Sequence, residues 1–304
     1  MDLAYLRAHP HQLPVLLHHQ RIRETPVPGG SICAASRLTL DDGRSLFAKT
    51  WPDPGPGLGP GRPPDGFFAA EAAGLRWLAE PGTVAVPEVV VATDTLLALE
   101  WVPPGPATPG AAERFGRELA GLHRAGAGDF GAPWPGYLGR LPQDNTLTPP
   151  PWSAWFAAYR LAPHLRASAD RGALAAADVA LVEQLLARID RYADRYAVDE
   201  PPARIHGDLW PGNLLWTRQR VWLVDPAAHA GHRETDLATL ALFDGAPHLD
   251  RILAGYQEVW PLADGWAARV PLHQLPLLLA HTAMFGAGWR DAVVSAATRA
   301  LQAG

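Results

Sequence analysis

The sequence Arg204-Ile205-His206-Gly207-Asp208-Leu209-Trp210-Pro211-Gly212-Asn213, followed by Val221-Trp222-Leu223-Val224-Asp225, has the most informative spacing in the chain. Asn213 follows Asp208 by five residues, and Asp225 ends an apolar run typical of a strand. Carboxylate and amide oxygens are suitable ligands for Mg²⁺, and a carboxylate can orient a hydroxyl group and take its proton. The residue types predict a site for a metal ion and an alcohol, although Asp and Asn beside Pro-Gly also suit a simple turn.

The spacing of these residues matches that of a kinase catalytic loop. In the pattern H-R-D-x-x-x-x-N, the Asp accepts the proton of the acceptor hydroxyl and the Asn binds Mg²⁺. A further Asp at the end of a strand binds the Mg²⁺ that bridges the phosphates. Asp208, Asn213 and Asp225 occupy the corresponding positions. The segment therefore predicts phosphoryl transfer, with ATP and Mg²⁺ as cofactors.

A single lysine provides an independent test of that prediction. Of the 26 basic residues, 25 are Arg and one is Lys49, which lies in a strand-like run. Glu71 lies on the next predicted helix and shares one face with Phe67 and Leu75. A carboxylate on an apolar face is costly unless it is paired. Because kinases hold a phosphate-binding Lys with a helix Glu in this order, Lys49 and Glu71 are predicted to form an ion pair.

Composition excludes several other classes of protein. The 304 residues are 48% hydrophobic and 19% charged, which is incompatible with wholesale disorder. The net charge of −5 gives no basic field for nucleic acid, and one cysteine, Cys33, excludes an intrachain disulfide framework. The first 20 residues lack a basic region followed by a long apolar stretch, and no apolar run approaches about 20 residues, so we expect neither a signal peptide nor a membrane span. We therefore expect a cytoplasmic protein that binds neither nucleic acid nor membranes.

The pattern of apolar runs and breakers predicts two lobes. A break at Pro103-Pro104-Gly105-Pro106 separates a predicted N-terminal lobe, 1–101, from a C-terminal lobe, 102–304. The N-terminal lobe is predicted to contain strands at 36–40 and 45–51, a Pro- and Gly-rich loop at 52–66, a helix at 67–79, and strands at 84–92 and 96–102. The C-terminal lobe is predicted to contain helices at 111–124, 152–161 and 175–196, a hairpin at 214–216 and 221–224, and further helices after it.

With these features in place, the chain resembles the fructosamine (ketosamine) kinase family, a branch of the aminoglycoside and choline phosphotransferases. The strongest stretches are HGDLWPGNLLW at 206–216, DPAAHAGHRETDLA at 225–238 and LHQLPLLLAHTAMFG at 272–286. The resemblance covers nearly the whole chain. It implies an α+β, two-lobed protein-kinase-like fold, with a small N-terminal sheet lobe containing one main helix and a larger, mostly helical C-terminal lobe.

The resemblance also assigns roles to individual residues. Asp208 resembles the catalytic base, Asn213 and Asp225 the Mg²⁺ ligands, and Lys49 held by Glu71 the phosphate-binding pair. The other implied sites are the phosphate-covering loop at Gly29, Gly30 and Ser31, the adenine-binding hinge at Glu100, Trp101 and Val102, the acceptor pocket at Trp210, His232 and Glu234, and a structural role for His206 and Asp236.

The activity implied by the resemblance is ATP-dependent phosphorylation of the sugar O3 of a ketoamine, on a small molecule or a glycated protein. The 3-phosphate then eliminates and frees the amine, so the implied role is deglycation by a monomer or dimer. The alternative is phosphorylation of an aminoglycoside or another small molecule on the same fold. Two further alternatives are an inactive binding module with this fold and a metal hydrolase using His229 and His232 in H-x-x-H.

Overall fold

The computed structural model describes residues 2–18, 22–30, 32–52, 62–149, 151–191 and 200–303. In these residues a small sheet with one long helix is followed by a larger, mostly helical part. The predicted α+β architecture is confirmed. None of the described helices is both long and apolar enough to cross a lipid bilayer.

The N-terminal part is a five-stranded antiparallel sheet in the order β1-β2-β3-β5-β4. Its helices are α1 (Leu3–Ala8), α2 (Leu13–His18) and α3 (Phe67–Ala79), and its strands are β1 (Arg23–Pro26), β2 (Ala34–Thr39), β3 (Ser45–Thr50), β4 (Val89–Ala92) and β5 (Leu96–Glu100). Strand β3 pairs with β2 on one side and with β5 on the other. Lys49 therefore lies on the central strand, which both neighbours hold in register.

Helix α3 has the bounds predicted for it. Its inner face buries Phe68, Leu75 and Leu78, and part of that face packs against Leu97 and Leu99 of β5. Glu71 lies on the same buried face. The apolar stripe of α3 thus fixes the helix on the sheet and turns the carboxylate toward the strand that carries Lys49.

Two N-terminal strands differ from the prediction. The predicted strand at 84–92 is regular only over Val89–Ala92, because Pro87 cannot donate a backbone hydrogen bond and favours a break before it. Strand β1 was not predicted from its sequence, RETP. All four of its residues are exposed at the edge of the sheet, so the strand lacks the apolar alternation by which strands are recognised.

The C-terminal part is built from helices around two apolar clusters. Its helices are α4 (Pro109–Arg124), α5 (Trp152–Phe156), α6 (Ala162–Asp170), α7 (Ala176–Leu186), α8 (Glu234–Thr239), α9 (Leu249–Val259), α10 (Trp266–Phe285) and α11 (Arg290–Ala303). Its short strands are β6 (Gly136–Leu138), β7 (Leu141–Gln143), β8 (Ala203–Ile205), β9 (Leu214–Trp216), β10 (Val221–Leu223) and β11 (His229–Gly231). Helix α10 is mostly buried and packs against α6, α8 and α11.

The helix prediction is accurate in some places and wrong in others. The hairpin of β9 and β10 is confirmed, and α4 begins two residues before the predicted helix. The segment predicted as one helix at 152–161 is a short α-helix followed by a π-helical turn, Ala157–Leu161. Helix α7 ends at Leu186 rather than at 196, and residues 192–199 lie outside the described residues, as do most residues of the loop at 52–66.

Helices α4 and α9 approach so closely that only glycine fits at their contact. A Cβ on Gly116 would overlap the Ile252 carbonyl and lie 2.8 Å from the Tyr256 nitrogen. We expect Gly116→Ala to lower the free energy of unfolding by about 1–3 kcal/mol, because overpacking forces the helices apart. Gly110→Ala is the matched control on α4, since a Cβ there meets nothing within 4 Å. Urea unfolding of both variants tests the contact, and equal stabilities would contradict it.

Candidate active site

The loop between β8 and β9 is anchored by one fully buried carboxylate. The backbone nitrogens of His206 and Gly207 donate to Asp236 at 2.7 and 2.9 Å, and His123 Nε2 lies 3.2 Å from the same side chain. His206 Nε2 donates in turn to the Val224 carbonyl at 2.9 Å. Burial lowers the pKa of His206, so its ring is a neutral bridge between the loop and the β10 end. This geometry suits the structural roles predicted for His206 and Asp236.

Gly207 is required for the loop to turn at this place. Its φ is +81°, a conformation that favours glycine, and a Cβ would overlap the Ala227 carbonyl and lie 2.9 Å from the His229 ring. The close approach of Ala227 brings the segment after Asp225 against the loop. Asn213 and Asp225, the two candidate Mg²⁺ ligands, thereby come together in space.

Asp208 presents one free carboxylate oxygen. Asn213 Nδ2 donates to Asp208 Oδ2 at 3.0 Å and to the Asp208 carbonyl at 2.8 Å. The other oxygen, Oδ1, is buried and has no hydrogen-bond partner among the described residues. Burial raises the pKa of Asp208 well above its usual range, Asn213 opposes the shift, and the nearby carboxylates of Asp225 and Asp236 add to it. A proton-accepting oxygen without a partner suits a group that receives a hydroxyl proton.

Asp225 lies just after β10 in a left-handed conformation, with φ of +56°. Such a conformation is uncommon outside glycine and is enriched at functional sites. It turns the carboxylate toward Lys49, whose Nζ donates to Asp225 Oδ1. The Asn213 amide nitrogen is occupied by Asp208, which leaves the amide oxygen as the atom able to bind a cation.

Lys49 joins the two halves of the chain. Its Nζ donates to Glu71 Oε1 at 2.8 Å, so the predicted ion pair between the lone lysine and the helix carboxylate is present. Burial acts to lower the pKa of Lys49, but Asp225 and Glu71 together raise it above its usual value. The lysine is therefore charged, and it links the N-terminal sheet to the segment that follows β10.

One cavity of about 540 Å³ between the two parts of the chain is lined by Lys49, Glu71, Asp208, Asn213 and Asp225. Gly29 and Gly30, both with positive φ, line it at one side, whereas Ser31 lies outside the described residues. The predicted hinge residues Glu100, Trp101 and Val102 line it as well. Trp210 also lines the cavity, where it was predicted to meet an acceptor.

His232 and Glu234 are placed differently from the prediction. Both are buried, and neither lines the cavity, so the structure does not bring them to the other site residues and their role in an acceptor pocket stays a prediction. Arg269 donates to both carboxylate oxygens of Glu234, and the rings of His232 and His273 lie 4.9 Å apart. This packing has no local pattern from which it could be predicted, because Arg269 is 35 residues from Glu234.

The histidines do not support a hydrolytic metal centre. His229 Nδ1 bonds to the Ala227 carbonyl at 2.7 Å and its Nε2 accepts from Arg160 at 3.2 Å, so neither ring nitrogen of this H-x-x-H histidine is free. His232, Glu234 and His273 have ligand atoms within 4.8 Å of one another. Because Arg269 already neutralises the carboxylate of that group, a cation there would have no unpaired negative charge.

Several cavity-lining residues were not singled out from the sequence. They lie on the β6–β7 hairpin and on the last turns of α10. These residues are Tyr137, Leu138, Gly139, Leu277, His281, Met284 and Phe285. The four on α10 follow the i, i+4, i+7 and i+8 spacing of one helix face, but in a helix that is apolar nearly all round this spacing does not distinguish a cavity from the core.

Comparison with known proteins agrees with this geometry. The model of the family described as fructosamine kinase matches residues 13–303. A probable ketoamine kinase of Thermus thermophilus is 35% identical over 268 residues, which are 88% of this chain and 90% of that protein. A crystal structure of a putative fructosamine-3-kinase from Thermobifida fusca is 49% identical, with a TM-score of 0.84 over 92% of this chain and 94% of that one.

More distant structures share the fold alone. A mutant aminoglycoside phosphotransferase, solved in ternary complex with ADP and hygromycin B, is 15% identical with a TM-score of 0.63. The alignment covers 96% of this chain and 97% of that one. The predicted two-lobed, kinase-like architecture is thereby confirmed.

Proposed function

The chain belongs to the fructosamine kinase family, and from this premise we propose that it transfers the γ-phosphoryl group of ATP to the sugar O3 of a ketoamine. The observation that carries the proposal is the convergence of Lys49, Glu71, Asp208, Asn213 and Asp225 on one cavity. In this proposal, residues 1–101 form the nucleotide-binding lobe, and residues 102–304 form the catalytic and acceptor-binding lobe.

The residues of the cavity fit a nucleotide and its metal. Asn213 and Asp225 supply one neutral and one charged oxygen ligand, and Lys49 supplies a compact positive charge for phosphate oxygens. When bound there, Mg²⁺ neutralises charge that develops on the phosphates. The backbone at Gly29 and Gly30 covers the phosphates, and the backbone of 100–102 binds adenine in this proposal, with Ser31 as a further predicted phosphate contact.

The chemical step uses the free oxygen of Asp208. The O3 hydroxyl of the sugar donates to Asp208 Oδ1, and its oxygen forms a bond to the γ-phosphorus. The bond from that phosphorus to the oxygen bridging it to the β-phosphate breaks, ADP leaves, and the hydroxyl proton remains on Asp208. The 3-phosphate then eliminates inorganic phosphate and, after hydrolysis, releases the amine, so the proposed outcome is deglycation.

The alternative acceptor class is an aminoglycoside, because phosphotransferases of that class share the fold. Polycationic acceptors call for several acidic side chains. Among the described residues, the acids that line the cavity are Glu71, Glu100, Asp208 and Asp225. Glu71 is already paired with Lys49, Asp225 is assigned to the metal ion, and Asp208 is assigned to the proton of the acceptor hydroxyl. This charge pattern favours a ketoamine, which carries fewer amines than an aminoglycoside.

The first experiment measures ADP release by the purified protein with ATP and Mg²⁺. Ribulosyl-lysine, fructosyl-lysine and kanamycin are compared as acceptors, with Asp208→Asn as the blank. Turnover of a ketoamine that is lost in the variant is the expected result. Turnover of kanamycin alone would move the protein to the antibiotic-modifying class, and no turnover with Mg·ATP bound would favour a binding module. A monomeric state and a cytoplasmic location stay predictions.

A further inference from the structure

Part of the cavity that Asp208 lines is walled by aromatic and apolar side chains. We call it the acceptor wall and define it by six lining residues, which are Tyr137, Trp210, Leu277, His281, Met284 and Phe285. Trp210 is two residues from Asp208, and Tyr137 comes from the β6–β7 hairpin. The other four project from one face of α10. If Asp208 accepts the O3 proton, the rest of the acceptor lies near this wall.

Three rings of the acceptor wall, those of Trp210, His281 and Phe285, are held in a connected cluster. Phe243 lies beneath them, with its ring centroid 5.5 Å from that of Trp210 and 5.3 Å from that of His281. His281 in turn lies 5.5 Å from Phe285. Phe243 has φ of +54°, which is a costly conformation for a bulky side chain. The surrounding structure holds Phe243 in this conformation, which positions its ring against those of Trp210 and His281.

The acceptor wall offers no charge to a substrate. Burial lowers the pKa of His281 and the Leu277 carbonyl only partly opposes the shift, so the imidazole is neutral. Among the described residues that line the cavity, Lys49 is the one with a cationic side chain, and it already contacts Glu71 and Asp225. The guanidinium of Arg140 contacts the wall from outside the cavity lining, where it donates to the Met284 carbonyl at 2.8 Å. A carboxylate beside the ketoamine nitrogen would thus be desolvated without a cationic partner inside the cavity.

We propose that the acceptor wall selects ketoamines whose nitrogen carries an uncharged aromatic or apolar substituent, and that it discriminates against those with a carboxylate next to the nitrogen. The inference rests on the proposed function and names the substrate class of the same site. Aromatic rings favour both an apolar group and a protonated secondary amine lying against their faces, whereas an unpaired carboxylate has nothing to bind.

Phe285 is the residue best suited to a test. Its side chain is 42% exposed at the end of α10, so its truncation leaves the core intact. The matched control is Tyr5→Ala, which removes an aromatic ring of 44% exposure from α1, and that ring does not line the cavity.

The experiment compares kcat/KM for the ribulosyl derivatives of benzylamine, methylamine and glycine, which share one sugar. We expect the benzylamine derivative to exceed the glycine derivative by about tenfold or more. Phe285→Ala should reduce the benzylamine-to-methylamine ratio about two- to tenfold, as expected for the loss of one aromatic contact. Tyr5→Ala should leave that ratio as in the unmodified protein.

The outcomes separate this inference from the proposed function. Equal kcat/KM values for the benzylamine and glycine derivatives would overturn the inference while leaving ketoamine phosphorylation in place. If Phe285→Ala left the benzylamine-to-methylamine ratio of kcat/KM unchanged, the proposed contact between Phe285 and the substituent would be refuted. Failure of the unmodified protein to phosphorylate any of the three would overturn the inference, and failure on ribulosyl-lysine and fructosyl-lysine as well, with Mg·ATP bound, would overturn the proposed function with it.

Discussion

Asp208→Asn is expected to lower kcat by about 10²–10⁴-fold, the range for losing a general base. The amide keeps the shape of the carboxylate, and its oxygen can still accept from Asn213, as Asp208 Oδ2 does at 3.0 Å. Its nitrogen then occupies the place of the free Oδ1 and cannot take a proton from the acceptor hydroxyl. Steady-state ADP release at saturating ATP measures the loss.

The same variant should remain folded and should bind nucleotide. The side chain at position 208 lies near the carboxylates of Asp225 and Asp236, so a neutral group there relieves repulsion and the melting temperature is not expected to fall. Asp291→Asn, at a side chain that is 93% exposed, is the control for the chemical change. If Asp208→Asn kept its activity, the assignment of the base would be wrong.

Asp225→Asn is expected to lower kcat/KM for ATP at least about 100-fold, because a charged metal ligand stabilises the transferring phosphates by several kcal/mol. Asn is the informative replacement since it tolerates positive φ better than most residues, and the backbone at Asp225 has φ of +56°. The substitution therefore removes the charge and leaves the turn. Calorimetric titration of ATP with Mg²⁺ and with EDTA measures the metal dependence of binding.

The control for Asp225→Asn is the same change in the same backbone conformation away from the cavity. Asp244 has φ of +70°, is exposed and does not line the cavity. Asp244→Asn should keep both kcat/KM and the Mg²⁺ dependence of nucleotide binding. Should Asp225→Asn bind ATP as tightly in Mg²⁺ as the unmodified protein, its role as a metal ligand would be refuted.

The elements that could be predicted from the sequence have their signal within a short segment. Helix α3 was located from its apolar stripe, and Glu71 was paired with Lys49 because a carboxylate on that stripe needs a cation. The β9–β10 hairpin was located from two apolar runs around a polar tetrapeptide. Strand β1 has no such local signal, since its four residues are exposed. Its extended conformation depends on the backbone pairing with β2.

His232 and Glu234 show where the sequence was insufficient. Their place near the catalytic segment and their resemblance to family motifs suggested an acceptor pocket. In the fold, Arg269 from α10 binds Glu234, and burial lowers the pKa of His232 to about 3, so the two side chains belong to the interior. Which helix would pack against them was not readable from residues 232–234 alone.

Residue types and short separations along the chain were enough to predict the chemical groups of this protein. These groups are a base candidate, two oxygen ligands and a lone lysine at kinase spacing. Which side chains face the cavity depends instead on the packing of the whole fold. The acceptor wall joins a hairpin near residue 137, the loop at Trp210 and the end of α10. Packing between such distant segments depends on the shapes of all the intervening elements, so no local pattern records it.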